Sequence, residues 1–317
     1  MARRKPARVH GVVAIDKPAG MTSRQIVSRI GWLLGEKRGG HTGTLDPAAI
    51  GVLVLAFGHA TKAVRWLTNT AKTYKTTVRF GTSTSTDDAQ SEVVTSRPLP
   101  TSWTTEALVA AANRELGVIA QVPPAVSALK RDGVRDYERV RQGERVIREA
   151  RPVRLDEVRL LTMTAEEATF ELTCGAGFYV RAWARDLGSA MGSAAHITSL
   201  QRTSCSGFEL SECISSEDFA DLEVGAIERR LVPVAACLRR VMSVVLVDAE
   251  VTARLQHGQK VWIADEGLQA GAELLAIGPG EQPVCVAEVL VSASGTGAVL
   301  RVVRGLALAA ETAPEGT

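Results

Sequence analysis

The sequence predicts an α+β fold, and three observations predict it. Strand-like and helix-like patterns interleave irregularly through the first two-thirds of the chain, with no regular strand–helix repeat. No Gly-x-Gly-x-x-Gly fingerprint follows a strand-like run, so the usual signature of a doubly wound sheet is missing. Near residues 239–245 the pattern changes to short, closely spaced apolar runs of the kind that build a small β-rich domain. A length of 317 residues fits one large domain plus a small one. The expected division is 1–240, 241–308 and a frayed tail at 309–317, with no internal repeat.

The elements follow in order. Val12-Val13-Ala14-Ile15 has the continuous apolar character of a buried strand, and Asp16-Lys17-Pro18-Ala19-Gly20 turns the chain. Thr22 and Gln25 then have capping-box spacing, and Ile26, Val27, Ile30, Leu33 and Leu34 recur on one helical face until Gly35. Residues 36–50 show neither period and read as a loop; the strand run Val52–Phe57 follows at once. Tyr74, Thr76, Val78 and Phe80 alternate with Lys75, Thr77 and Arg79, as in a half-buried strand. A polar loop over 81–100 precedes a helix at about 104–116. Gln121-Val122-Pro123-Pro124 opens a basic segment reaching Arg154, Ala168–Cys174 reads as a strand, and a helix carries Val180, Trp183, Ala184 and Leu187 on its apolar face. Beyond residue 243 the strand runs are 244–247, 261–263, 274–277, 284–291 and 299–303, interrupted by one helix at about 249–256.

Composition excludes several classes of protein. The five cysteines are odd in number, scattered and without a C-x-x-C pair, which argues against a disulfide framework or a zinc site. No apolar run approaches the roughly 20 residues of a membrane span, and no signal region opens the chain, so a soluble, cytoplasmic protein is expected. Net charge is only +2, but the charge is uneven. Arg3, Arg4, Lys5 and Arg8 crowd the first eight residues, and nine bases face five acids between Lys130 and Arg154. Such local clusters are what binding to phosphates requires, though a solvated basic surface has the same composition.

A polar loop pinned between two apolar elements is a common seat for a site, and the 36–50 loop carries Asp46. Alone, an Asp before Pro47 reads as a turn former. Thr42-Gly43-Thr44-Leu45 also has the look of a phosphoryl-aspartate loop, but the position two residues before Thr42, where that chemistry needs its Asp, is Gly40. The longer string His41-Thr42-Gly43-Thr44-Leu45-Asp46-Pro47, continuing to Gly51-Val52-Leu53, closely resembles the central motif of the TruB family of pseudouridine synthases. Asp16-Lys17-Pro18-Ala19-Gly20-Met21-Thr22-Ser23 is similar to that family's Lys-Pro motif, and Lys72-Thr73-Tyr74 to its Lys-x-Tyr strand. Gln121–Pro124 through Ser127-Ala128-Leu129-Lys130, Gly177-Phe178-Tyr179-Val180-Arg181, and Ala195-His196 through Leu200 and Arg202 resemble its remaining blocks. The motifs arrive in family order across about residues 12–208.

The resemblance implies a pseudouridine synthase fold, a mixed and mainly antiparallel central sheet flanked by helices, with a PUA-like C-terminal domain; Val251–Gln259 is similar to the opening of such modules. It implies isomerisation of uridine to pseudouridine at the T-loop position 55 of tRNA. The reaction breaks the N-glycosidic bond, turns the base and rejoins it through carbon; nothing is oxidised, so neither cofactor nor metal is expected. Asp46 is implied as the nucleophile, kept ionised by Arg181, with Tyr74 against the target base. His41, Tyr179, Leu200, Asp88 and Lys17 are implied as substrate-binding positions. Two departures stand out: Ser85 and Ser91 replace the usual Asp and Gly around Asp88, and Ala176 stands where many relatives have Lys. A uridine in a folded loop must be extruded to be reached, and the basic segment within an insertion at about 120–154 is expected to close over the RNA. The expected partner is the T-arm stem-loop of tRNA, bound by a monomer without an obligate protein partner. A tRNA-binding module of the same fold without activity is the alternative.

Overall fold

The computed structural model describes residues 9–100, 103–124, 130–131, 134–135, 149–264, 267–293 and 297–306. The basic residues before Val9, most of the basic segment between Lys130 and Arg154, and the expected tail therefore lie outside the described residues. Among the latter, nine strands form one mixed sheet and five a second. The main strands of the first are β1 (Gly11–Lys17), β2 (Gly39–His41), β3 (Ile50–Phe57), β4 (Lys72–Phe80), β5 (Gly117–Gln121), β6 (Arg151–Met163), β7 (Glu167–Cys174) and β8 (Ala195–Cys205). Across the sheet they lie in the order β1-β3-β8-β4-β7-β6-β5, with β2 paired to the end of β3. Every main pairing is antiparallel except β3 with β8, where Gln201 and Arg202 run parallel to Ile50 and Gly51. The α+β class, with a mixed and mainly antiparallel sheet, is as expected.

Sequence pattern and burial agree strand by strand. β1 and β3 are apolar throughout because both of their faces are covered. Val13, Ile15, Leu53, Leu55 and Phe57 enter one core, whereas Val12, Ala14, Val52, Val54 and Ala56 enter another. β4 alternates because only one of its faces is covered: Tyr74, Thr76, Val78 and Phe80 are buried, while Lys75 and Arg79 meet solvent. The first core is closed by three helices, α1 (Ser23–Leu33), α2 (Thr105–Asn113) and α3 (Val180–Ala190), through Ile26, Ile30, Leu108, Trp183 and Leu187. Thr22 and Gln25 form the expected capping box at the start of α1. Trp183 is fully buried and meets Phe170 of β7 edge-on.

The second sheet contains β9 (Val244–Leu246), β10 (Val261–Ile263), β11 (Glu273–Ile277), β12 (Pro283–Ala293) and β13 (Gly297–Gly305), ordered β9-β11-β12-β13-β10, with helix α4 (Ala249–Gln256) between β9 and β10. Leu275, Ile277, Val286 and Leu306 share the second core with β1 and β3. Glu273 adds an ion pair with Arg65 and accepts from the Trp66 indole. The second face of β1 and β3 is covered by residues 58–67 and 235–238, including Ala60, Ala63, Leu67 and Leu238, with the C-terminal sheet closing the same core, which is why those strands show no alternation.

The structure corrects the reading in several places, among them the loop expected over 81–100, where Thr82–Thr84 and Val93–Ser96 pair as a short antiparallel ladder. The loop expected over 36–50 contains the short strand β2. β5, β6 and β8 are also strands that the pattern did not disclose. β6 has mostly exposed side chains and a register shift between Leu155 and Glu157; β8 has shifts between Ile197 and Ser199 and between Arg202 and Ser204. A bulge moves every later side chain to the other face, which erases the two-residue period.

Gly51 holds the parallel junction together. Its φ is +101°, and a Cβ there would sit 2.2 Å from the Arg202 carbonyl oxygen. Gly51→Ala is expected to cost roughly 3 kcal/mol through combined strain and overpacking. Gly81→Ala, with φ +93° but open space around the new methyl group, should cost only about 1 kcal/mol. Denaturant melts of the two variants test this; equal losses would show that φ alone, and not the approach of β8, restricts Gly51.

Candidate active site

The loop between β2 and β3 is aperiodic because its polar groups are bound one by one to fixed partners. Thr42 is fully buried, with its hydroxyl 2.8 Å from that of Ser206 and its N–H donated to Val54. Ser23, at the start of α1, both accepts from the Leu45 N–H at 2.8 Å and donates to the Leu45 carbonyl at 3.0 Å. The Pro47 carbonyl accepts from the Gly20 N–H and from Lys17 Nζ at 3.1 Å. Asp46 projects from between these anchored residues.

Asp46 Oδ2 lies 3.0 Å from Arg181 Nε. The Asp46 side chain is 42% exposed and that of Arg181 only 6%, so the carboxylate stands at the mouth and the guanidinium in the wall. Arg181 also donates to the Thr86 carbonyl at 2.7 Å and approaches Asp88 Oδ2 at 3.8 Å. Asp88 is fixed in turn by the Thr86 hydroxyl and the Gln90 N–H. Ser91, one of the two sequence departures, bonds the Thr86 N–H and lies 2.7 Å from its hydroxyl. The departure therefore retains a polar contact in the turn that presents Asp88.

Asp46, Arg181, Tyr74, Tyr179 and Leu200 line one cleft of about 270 Å³, together with Lys72, Ala176 and Arg202. Five of the eight expected site residues thus converge. Asp88 reaches the cleft through Arg181. His41 ends β2 opposite Leu55, half-buried, and is not part of the cleft lining. Lys17 does not line it either: it is fully buried, and its ammonium donates to the carbonyls of Pro18 (2.8 Å), Met21 (2.7 Å) and Pro47. Its position is that of a clamp beneath the Asp46 loop.

Three residues outside the expected set also shape the site. Gln121, nearly inaccessible at the end of β5, accepts from the Tyr179 N–H at 2.9 Å and donates to the Tyr179 carbonyl at 3.1 Å. Tyr179 is the N-cap of α3, so this two-point clamp sets the start of the helix that carries Arg181. Lys72 and Arg202 place two buried cations in the cleft wall; Lys72 donates to the carbonyls of Thr68 and Thr70. The available signal was the alternation of β4, which puts Lys72 on the same face as Tyr74. Burial pushes the Tyr74 hydroxyl up to about 12 against the opposing influence of Arg202, so at neutral pH it is a phenol.

The first 180 residues tie this geometry to known proteins. A family model described as TruB family pseudouridylate synthase (N terminal domain) matches residues 32–180. A tRNA pseudouridine synthase B of Paracoccus denitrificans is 39% identical over 280 residues, covering 84% of this chain and 93% of that relative. The chain belongs to the TruB family. A tRNA pseudouridine synthase B of Mycobacterium tuberculosis is 46% identical over 215 residues, 67% of this chain and 72% of the relative. Among solved structures, a Cbf5-Nop10-Gar1 complex aligns with TM-score 0.73 at 21% identity, covering 94% of this chain and 85% of that one; it supports the fold alone. The stretch matched by the TruB model takes in Asp46, Tyr74 and Asp88 and ends one residue before Arg181.

Lys17 yields a pH prediction. Burial lowers its pKa from 10.5 to about 8, with Asp46 opposing and Arg202 reinforcing the shift. A neutral amine has two N–H groups and cannot donate to three carbonyls. Turnover is therefore expected to fall through one ionisation near pH 8 as the Asp46 loop loses an anchor. The stability contribution has the opposite sign. Between about 8 and 10.5 the unfolded chain holds the extra proton, so the Lys17 contribution to stability rises with pH in that window. In Lys17→Arg the cation does not titrate, and the alkaline limb should disappear. A limb that persists unchanged in that variant belongs to another group.

Proposed function

We propose that this chain is a tRNA pseudouridine synthase that isomerises the T-loop uridine at position 55, with Asp46 as the nucleophilic carboxylate. The observation that carries the reading is the half-exposed Asp46 carboxylate held by the buried Arg181 guanidinium across from Tyr74 in one cleft. The Arg181 Nε at 3.0 Å holds the carboxylate in place at the mouth of the cleft. The relatives bearing the name tRNA pseudouridine synthase B support the substrate class.

The cleft is far too small for a duplex, so a target uridine enters it only after extrusion, which costs a few kcal/mol. Arg181, Arg202 and Lys72 give the lining a positive bias, which suits a nucleotide carrying phosphates. Leu200 supplies an apolar contact, and Tyr74 and Tyr179 supply aromatic faces for the flipped ring. Asp88 holds the far side of Arg181.

The test is an assay for pseudouridine in an unmodified T-arm stem-loop RNA. Wild-type protein is expected to convert the T-loop uridine, whereas Asp46→Asn should lose at least about 10³-fold in rate with RNA affinity retained. Tight binding without conversion by the wild type would leave only an RNA-binding module. Wild-type rates in Asp46→Asn would remove the nucleophile assignment alone.

A further inference from the structure

One turn beyond Arg181, on the same face of α3, stands a second arginine that the motifs left without a task. The Arg185 guanidinium has three separate partners. Nη1 lies 3.1 Å from Asp87 Oδ2, Nε donates to Asp186 Oδ1 at 2.9 Å, and Nη2 donates to the Val122 carbonyl at 2.9 Å. The Asp87 side chain is 11% exposed and that of Arg185 28%, so water and salt screen this pair less than an ordinary surface ion pair. Val122 follows Gln121, whose side chain clamps Tyr179 at the start of the same helix.

Asp87 has an unusual backbone. Its φ is +60°, in the left-handed region, which residues other than glycine adopt at a cost and keep only where their surroundings hold them. The Asp87 N–H donates to the Thr84 carbonyl, its own carbonyl accepts from the Ile197 N–H of β8 at 3.2 Å, and its carboxylate faces Arg185. The turn therefore alternates between the two arginines. Thr86 and Asp88 present oxygens to Arg181 at 2.7 and 3.8 Å, while Asp87 between them is turned to Arg185. We propose that Asp87 and Arg185 are positioning residues of the cleft: their ion pair holds the 84–90 turn against α3 and so fixes the Arg181 guanidinium on which the Asp46 carboxylate rests. Through the Val122 carbonyl the same guanidinium ties the Val122-Pro123-Pro124 segment to that arrangement. This inference rests on the pseudouridine synthase reading above.

Neither Asp87 nor Arg185 lines the cleft, so neither touches the uridine, and both act through Arg181. Loss of the Asp87 charge leaves Arg185 with Asp186 and the Val122 carbonyl, so no cation is stranded without a partner. The left-handed backbone at Asp87 then lacks the contact that compensates it. The turn relaxes, and Thr86 and Asp88 no longer meet Arg181 together. Arg181 keeps Asp46 as its remaining carboxylate partner, and the two shift as a unit away from the place where a flipped nucleotide is held. A purely structural pair would lower stability and leave the rate of the folded protein untouched.

The full-length chain is assayed on T-arm stem-loop RNA in single turnovers, which separates the rate at saturating RNA from the RNA concentration at half-saturation. Asp87→Asn removes the charge and keeps a residue that tolerates positive φ. Its saturating rate is expected to fall about 10-fold, since a small misplacement of a supporting group slows reaction, while half-saturation moves less than about 2-fold. Arg185→Lys, which keeps the charge but loses the planar fork, should shift the rate in the same direction. In an Asp88→Asn background the turn delivers less to Arg181, and Asp87→Asn should cost no more than about 2-fold. An equal loss with and without the Asp88 carboxylate would overturn the proposal. So would a lowered melting temperature with an unchanged saturating rate, or a raised half-saturation alone, which would place the pair in RNA binding. If Asp87→Asn does not fold, the same cycle with Arg185→Lys decides. A wild-type protein that makes no pseudouridine defeats the underlying reading, an outcome distinct from an active wild type whose variants are additive.

Discussion

The ion pair between Asp46 and Arg181 is the constraint around which the rest of the cleft is arranged. Arg181 is the second residue of α3, where the unpaired N–H groups and the helix dipole already place positive charge. A buried guanidinium there is doubly unfavourable unless negative groups surround it. Asp46, Asp88 and the Thr86 carbonyl supply them from two separate segments. Each of those segments is fixed independently, one by Ser23 and Lys17, the other by Ser91 and the Thr86 hydroxyl. The electrostatic demand of one arginine thus draws together the β2–β3 loop, the turn at residues 84–90 and the start of α3.

The remaining cations divide into two kinds. Lys17 is sealed beneath the loop and spends its three donors on backbone carbonyls, so its effect on chemistry passes through the position of Asp46. Lys72 and Arg202 satisfy carbonyls as well, but they stand in the cleft wall. Fixed positive groups in a partly enclosed site act on developing negative charge without having to reorganise. The site consequently combines one carboxylate at its mouth with basic side chains held behind it.

Much of this was legible in the sequence, and the parts that were not share a physical cause. β1, α1, β3 and β4 follow simple periods, and Asp46, Tyr74, Tyr179, Arg181 and Leu200 meet in one cleft as their motifs implied. Lys17 was assigned to the substrate, whereas its ammonium faces carbonyls. A lysine in a turn carries no sign of which way its side chain points. β6 and β8 were missed because register shifts interrupt their alternation, and β2 because three residues, two of them glycine, give no period. Gln121 and Arg202 were visible only as letters in a motif. Their roles depend on pairings to Tyr179 and Tyr74 that lie 58 and 128 positions away in sequence, the second fixed by the β8–β4 register.

That register has a consequence for how stability and chemistry are linked. The backbone of Arg202 forms the parallel junction with β3 and presses against Gly51, while its side chain donates to the carbonyls of Val52 and Gly43. A slip of one residue between β8 and β4 would send the guanidinium to the opposite face of the sheet and out of the cleft wall. The close approach at Gly51, possible only without a Cβ, works against such a slip by fixing β8 against β3 next to the Asp46 loop. The same few atoms therefore set the order of the sheet and part of the lining of the cleft. A substitution that loosens the junction should disturb the cleft well before it unfolds the chain.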